Sequence, residues 1–321
     1  RLDIIGHPEI KASWENAVEA PLCTLLKAGA VKVSTIEHLM SALVGCGIDN
    51  ALVELDAEEV PIMDGSAAPF VFLIECAGSR ELSSPRKALR ILQEVSVSEP
   101  NRSASLVPAE SYEVRFEIEF DNPVVGRQVF DAAIDPVNYK RDISRARTFG
   151  FRHEVEQMRA AGLGRGGSLD NAIVIDGDTI LNDGGLRYRD EFVRHKTLDA
   201  IGDLYMAGGA LQGRFLGYKA GHALTLRLLQ TLFARQARVA LLLCPRLSFY
   251  PGRSESATLL LVGGEGSFYS LPTREPPRPP LSRSKCPCRS FSPFPRHFFT
   301  APPPEPSSLA AGRARLRLEV F

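Results

Sequence analysis

No stretch of this 321-residue chain stays apolar for long: its strongest runs, Ala240 to Cys244 and Leu259 to Val262, fall far short of the roughly 20 residues that cross a bilayer. A membrane-spanning segment is excluded on that ground. Concentrated positive charge is missing too. Lys plus Arg and Asp plus Glu number 38 each, and residues 1 to 238 hold 27 basic against 33 acidic side chains. A surface for nucleic acid needs a basic stripe, so nucleic acid is not an expected partner. Cysteine is sparse: Cys23, Cys46, Cys76, Cys244, Cys286 and Cys288 are scattered, the first three in apolar surroundings where a free thiol packs as a small hydrophobe. A reducing, cytoplasmic compartment is expected. No charged segment followed by an apolar stretch resembles a signal peptide, and Arg1 is not an initiator methionine, so the chain reads as cut at its start.

What is present is enough for two ordinary domains, since 44% of the residues are hydrophobic. From Val33, residues Ile36, Leu39, Met40, Leu43 and Val44 recur at helical spacing, and Ser34-Thr35-Ile36-Glu37 matches a capping box. Ala51 to Asp56 alternates as a strand, Pro61 to Gly65 is a turn, and Ala67 to Ala77 is helical up to Gly78. The polar stretch Arg80 to Lys87 then reads as a linker. Beyond it come alternating segments at Ala88 to Val97 and Tyr112 to Phe120, a helix at His153 to Ala161, a strand at Ala172 to Asp176, and a long helix from Asp190 to Ala207. The pattern predicts an α+β chain with a first unit over 1–84 and a second over 85–238.

After Gln236 the character changes. Fourteen of the 23 prolines lie past residue 238, where 11 Lys and Arg stand against 5 Glu and no Asp. Residues 239–321 form an atypical Pro/Arg-rich tail with no amphipathic period. Its part from 270 onward is predicted to be disordered and dispensable, because it buries too little apolar surface to offset its ordering entropy. Such a tail reads either as a ligand for partner domains or as a frameshifted or misread terminus.

The strongest chemical signal is the run from Phe192 to Asp203. On a helix His195 and Asp199 stand at i and i+4 on one face, with Asp203 a turn further on. An imidazole and a carboxylate so placed supply two ligands to one divalent metal, and tetrahedral Zn²⁺ takes such N and O donors. A His and an Asp at this spacing are more often a surface ion pair or a helix-dipole contact, so the spacing alone does not make a metal site. His38 and His222 remain as further donors, because His7 and His297 lie near the ends and His153 in a charged, solvated segment. Beside His38, Glu37 is either a carboxylate base or a helix cap. Gly221 suits a turn that presents His222 from the mouth of a helix, with a core or capping histidine as the alternative. A phosphate-loop reading of the glycines between Gly162 and Gly167 is rejected, since no Lys-Ser/Thr follows and the strand comes after them.

Four motifs, taken in order, go further than any single residue. Ser-Thr-Ile-Glu-His-Leu from Ser34, Pro-Ile-Met-Asp-Gly-Ser-Ala-Ala-Pro-Phe from Pro61, Ser-Arg-Ala-Arg-Thr-Phe-Gly-Phe from Ser144 and Phe-Val-Arg-His-Lys-Thr-Leu-Asp from Phe192 resemble the UDP-3-O-acyl-N-acetylglucosamine deacetylase family. The resemblance covers about Arg1 to Gln236. It implies hydrolytic removal of an acetyl group from a UDP-sugar lipid precursor, the committed step of lipid A synthesis. It further implies a metal held by His38, His195 and Asp199 with a fourth position open, and Glu37 as general base. His222 would be the second acid–base residue, kept charged by Asp203, and Thr148 would add an oxyanion hydrogen bond. Lys196 and Lys219 would lie near the site and the substrate diphosphate, and Phe149, Gly167 and Ser168 would also bind substrate. Residues Phe151 to Ala172 resemble an insert that encloses the acyl chain.

The fold so implied is a two-domain sandwich in which helices of both domains pack between two sheets, with the site at their junction and the opening strands of the first domain missing. A monomer is expected. Zn²⁺ is the expected metal, although ligand softness does not separate it from Fe²⁺ in a site of two histidines and an aspartate. Two functional classes stay open: an active metallo-amidohydrolase, and a folded remnant that binds the sugar nucleotide without hydrolysing it.

Overall fold

Short strands and one sharp corner set up the first helix. A computed structural model describes residues 1–162, 164, 166–234, 239–244, 258–260 and 316–320. Strands β1 (Ala17–Val18), β2 (Leu25–Ala28) and β3 (Val31–Val33) form a small antiparallel sheet in that order. Helix α1 (Glu37–Gly45) follows and is almost wholly buried, as its apolar spacing predicts.

Its start corrects the capping box. Ile36 occupies the cap position and no side chain caps the helix. The Ser34 hydroxyl donates to the Glu58 carbonyl and the Thr35 hydroxyl to the Glu59 carboxylate. Thr35 sits at φ 57°, an uncommon conformation for a β-branched residue, which turns both hydroxyls away from the helix end. Glu37 is thereby freed from a capping role.

Next come β4 (Ala51–Leu55) and α2 (Ala68–Ala77), which ends on Gly78 at φ 73°. The large sheet takes in β5 (Arg86–Ile91), β6 (Val95–Glu99), β7 (Arg102–Val107), β8 (Tyr112–Glu119) and β9 (Arg127–Ala133). Strand β8 alternates buried and half-buried positions along almost its whole length, the period-two signature of a sheet with one covered face. Helix α3 (Pro136–Asp142) starts on Asp135, whose carboxylate accepts from the backbone N–H groups of Val137 and Asn138. Then β10 (Phe149–Phe151), α4 (Arg152–Ala160), β11 (Ile173–Asp176) and β12 (Thr179–Ile180) make a separate three-stranded sheet. Its β10 and β11 run parallel, joined through α4.

The chain continues through α5 (Glu191–Tyr205), β13 (Ala210–Tyr218), α6 (His222–Phe233), β14 (Val239–Cys244), β15 (Thr258–Leu260) and β16 (Leu316–Val320). Strand β13 is the axis of the large sheet, paired parallel with β5 and β8 and antiparallel with β7. Gly213 and Gly217 lie on it. A Cβ on Gly213 would come within 2.5 Å of the Ile91 side chain, and one on Gly217 within 3.0 Å of Phe116 and 2.9 Å of Phe215.

Strand β14 pairs antiparallel with β5 along all six of its residues and extends the large sheet. Strand β15 pairs with β14, and β16 pairs with β4. Backbone pairing of this kind needs no amphipathic period. The rest of 239–321 lies outside the described residues. No helix among the described residues is long and apolar enough to cross a membrane.

Helix α1 packs on α5, while α5 and α6 lie on the large sheet. Gly202 on α5 sets how close α1 comes, for a Cβ there would stand 2.0 Å from the Glu37 carbonyl oxygen. The Gly202→Ala variant should therefore be destabilised by about 1–3 kcal/mol, the usual range for overpacking, despite alanine's better helix propensity. Denaturant unfolding checks the sign, and a stabilised variant would show that the helices do not meet at this position.

Candidate active site

Packing of α1 on α5 brings together residues 157 positions apart. The ligand atoms of His38, His195 and Asp199 all lie within 4.8 Å of one another, and all three residues are buried. Asp199 Oδ1 stands 3.5 Å from His38 Nε2 and 3.4 Å from His195 Nε2. The two imidazole rings meet edge to face with centroids 5.0 Å apart.

Three observations test whether these donors suit a divalent metal. Asp199 Oδ1 is buried and has no hydrogen-bond partner among the described residues, which is costly for a charged oxygen unless a cation faces it. His195 Nδ1 lies 3.0 Å from the Ala146 carbonyl. That contact fixes the proton on Nδ1 and leaves the Nε2 lone pair directed at Asp199. Burial pushes the His195 pKa down to about 3, so the ring is neutral, as a ligand must be. The donor set therefore fits.

Asp199 keeps its charge. Burial opposes it, but the Lys196 ammonium, with the charged His222 ring beyond it, holds its carboxyl below the usual carboxylate range. Lys196 Nζ donates to Asp199 Oδ2 at 2.8 Å, which occupies one oxygen and leaves Oδ1 to the imidazoles.

Beside this triad stands a second cluster. His222, the first residue of α6, lies with Nδ1 2.8 Å from Asp203 Oδ2 and Nε2 4.0 Å from Asp199 Oδ2. Burial alone would lower its pKa, yet Asp203 chiefly, with Asp199 and Glu37, raises it to about 9. Glu37 is 3% exposed, and burial raises its carboxyl above the ordinary range against the pull of His222 and His38. Its Oε2 accepts the backbone N–H of Thr24 at 3.0 Å. Phe116, Lys196, Ala220 and His222 line a cleft over this cluster. The His222 and Lys196 side chains are 15% and 23% exposed, so the site opens on their side.

Other residues singled out by the sequence fall at varying removes. Thr148 donates its backbone N–H to the Gly65 carbonyl and accepts from Ile173, which stitches two of the four motifs together. Phe149 stacks edge to face with Phe192 at 4.9 Å and reaches His195 at 6.4 Å. Gly167 and Ser168 lie in the turn before β11, where Ser168 N–H donates to Asn171 and the Gly167 carbonyl accepts from Arg159. Lys219 sits at φ 50° after β13, its ammonium 3.8 Å from Glu119.

Sequence reasoning missed three supports of this site. Thr24 touches Glu37, Asp203 and His222, and nothing in its own surroundings signals that. Gly202 lies inside the run from Phe192 to Asp203, where only the titratable residues drew a reading. Glu191 is fully buried, its carboxylate gathering Arg147 and the Arg187 backbone N–H. It thereby anchors the segment that carries the Ala146 carbonyl to α5. An acidic residue opening a helix beside two arginine-bearing motifs was the available clue.

Residues 1–234 match the family model described as UDP-3-O-acyl N-acetylglycosamine deacetylase. A UDP-3-O-acyl-N-acetylglucosamine deacetylase from Teredinibacter turnerae is 51% identical over 238 residues, which cover 74% of this chain and 78% of that protein.

Proposed function

The chain belongs to the UDP-3-O-acyl N-acetylglycosamine deacetylase family, and on that premise we propose that it hydrolyses UDP-3-O-(3-hydroxyacyl)-N-acetylglucosamine to the free amine and acetate, a step of lipid A synthesis. The observation that carries this reading is Asp199 Oδ1, buried between two imidazole Nε2 atoms with no hydrogen-bond partner among the described residues.

His38, His195 and Asp199 would hold the metal, with Zn²⁺ the proposed ion and Fe²⁺ compatible with the same donors. A Zn²⁺ ion bound there supplies a Lewis acid for the acetamide carbonyl and lowers the pKa of water toward ~7. Glu37 takes a proton from the attacking water, with Oε2 tied to Thr24 and the other oxygen free to receive it. As the C–N bond breaks, His222 gives its Nε2 proton to the departing nitrogen. Asp203 keeps Nδ1 protonated and the ring turned into the site. Thr148 and Lys196 would stabilise charge on the carbonyl oxygen. Phe149, Gly167, Ser168 and Lys219 are proposed substrate contacts, with the lysine suited to a phosphate as a point charge. The segment between β10 and β11 is the proposed site for the acyl chain. One chain suffices for all these roles, so a monomer is the proposed unit.

Metal analysis alongside amine release from the acetylated UDP-sugar tests the proposal. About one metal per chain is expected, because the donor set serves a single ion. The His195→Ala variant should lose both metal and turnover. Binding of the sugar nucleotide at full metal occupancy with no amine released would make the chain a binding protein instead.

A further inference from the structure

Thr24 belongs to none of the three helices that carry the chemistry, yet it touches one residue of each. It is 7% exposed and lies just before β2. Its backbone N–H donates to Glu37 Oε2 at 3.0 Å, and its hydroxyl donates to Asp203 Oδ1 at 2.5 Å. The same hydroxyl oxygen is 3.2 Å from His222 Nδ1. Its carbonyl accepts from Ile36 N–H, the residue preceding α1.

We propose that Thr24 is a positioning residue for the deacetylation, its hydroxyl fixing Asp203 so that His222 presents Nε2 to the leaving nitrogen, while its backbone N–H fixes the orientation of Glu37. The inference rests on the deacetylase reading above. Its physical basis is the hydrogen-bond inventory of Asp203. One carboxylate oxygen receives the imidazole Nδ1 proton and the other receives the Thr24 proton. A carboxylate held at both ends cannot swing about its terminal torsion, which is otherwise broad. With Asp203 locked, Nδ1 carries the hydrogen and Nε2 faces Asp199, 4.0 Å away. The backbone arm works separately: it engages one oxygen of Glu37 and leaves the other for the water.

Because the backbone arm survives side-chain substitution, the hydroxyl can be tested alone. The Thr24→Val variant should lower kcat by roughly ten- to hundredfold, the range set by one hydrogen bond to a charged group. KM should stay within about twofold, since no substrate contact is removed. Metal content should be unchanged. The Thr24→Ser variant keeps the hydroxyl and should recover kcat to within about threefold of the parent, well inside that window.

A double-mutant cycle separates positioning from packing. In an Asp203→Ala background the hydroxyl has lost the carboxylate it fixes and keeps only the longer approach to His222 Nδ1, so adding Thr24→Val should change kcat by less than about threefold. The inference is overturned if Thr24→Ser is as slow as Thr24→Val at full metal content, if the two substitutions multiply, or if Thr24→Val turns over like the parent. Should Thr24→Val fail to fold, the serine variant still decides by its own rate. Absence of turnover in the metal-loaded parent would overturn the deacetylase reading itself, an outcome distinct from a parent that is active and indifferent to Thr24.

Discussion

Replacing Glu37 by Gln should lower kcat by at least about a hundredfold with metal still bound, because a general base contributes ~10²–10⁴ to such a reaction. The substitution isolates chemistry from structure for a specific reason. Glutamine retains a carbonyl oxygen that can accept the Thr24 N–H, which the carboxylate engages at 3.0 Å. Alanine would strand that buried donor at about 1–3 kcal/mol and blur the result with instability. Turnover per bound metal, from steady-state rates and metal analysis on one preparation, is the quantity to measure. If metal and activity fall together while turnover per metal holds, Glu37 supports the fold and is not the base.

How far the sequence could have foreseen this site depends on the range of each interaction. His195, Asp199 and Asp203 were legible because helical periodicity places them on one face of α5 without any tertiary knowledge. Long, strongly periodic segments behaved likewise, among them α1, α2 and β8. The capping box failed because Thr35 at φ 57° redirects the chain toward Glu59, a tertiary preference that overrides a local motif. Strand β13 had no reading because Gly213 and Gly217 interrupt its alternation. Both are small where neighbouring side chains leave no room for a Cβ, and that requirement is invisible before the sheet is assembled.

The joining of His38 to His195 was of another kind. No local rule pairs residues on two helices so far apart. The motif resemblance supplied the pairing, and the physical cause is the close approach of α1 to α5 at Gly202. Thr24 marks the limit of both routes. It stands outside the quoted motifs, and its role arises only where three elements converge on one hydroxyl and one N–H. Backbone pairing beyond residue 238 was hidden for a related reason, since β14 owes its place to β5, more than 140 residues earlier.

Replacing His222 by Gln should lower kcat by roughly a hundredfold and erase the alkaline limb of the pH profile, because a general acid of this kind contributes ~10² or more. The sign follows from which form works: the donor must be protonated, so activity falls as pH rises through the His222 pKa. Asp203 at 2.8 Å, Asp199 and Glu37 are the carboxylates that face the ring, and together they overcome its burial and raise that pKa to about 9. A cation held by His38, His195 and Asp199 pulls the other way. The limb is thus expected between the free value of about 6.5 and that ceiling. The Asp203→Asn variant removes the nearest negative charge and should shift the alkaline limb to lower pH. Rate profiles of the parent and both variants, at matched metal content, decide the assignment. If His222→Gln keeps both limbs and turns over within about threefold of the parent, far inside the loss expected for an acid catalyst, the proton must reach the leaving nitrogen from another group, and Lys196, whose ammonium lies 2.8 Å from Asp199, is then the candidate to test.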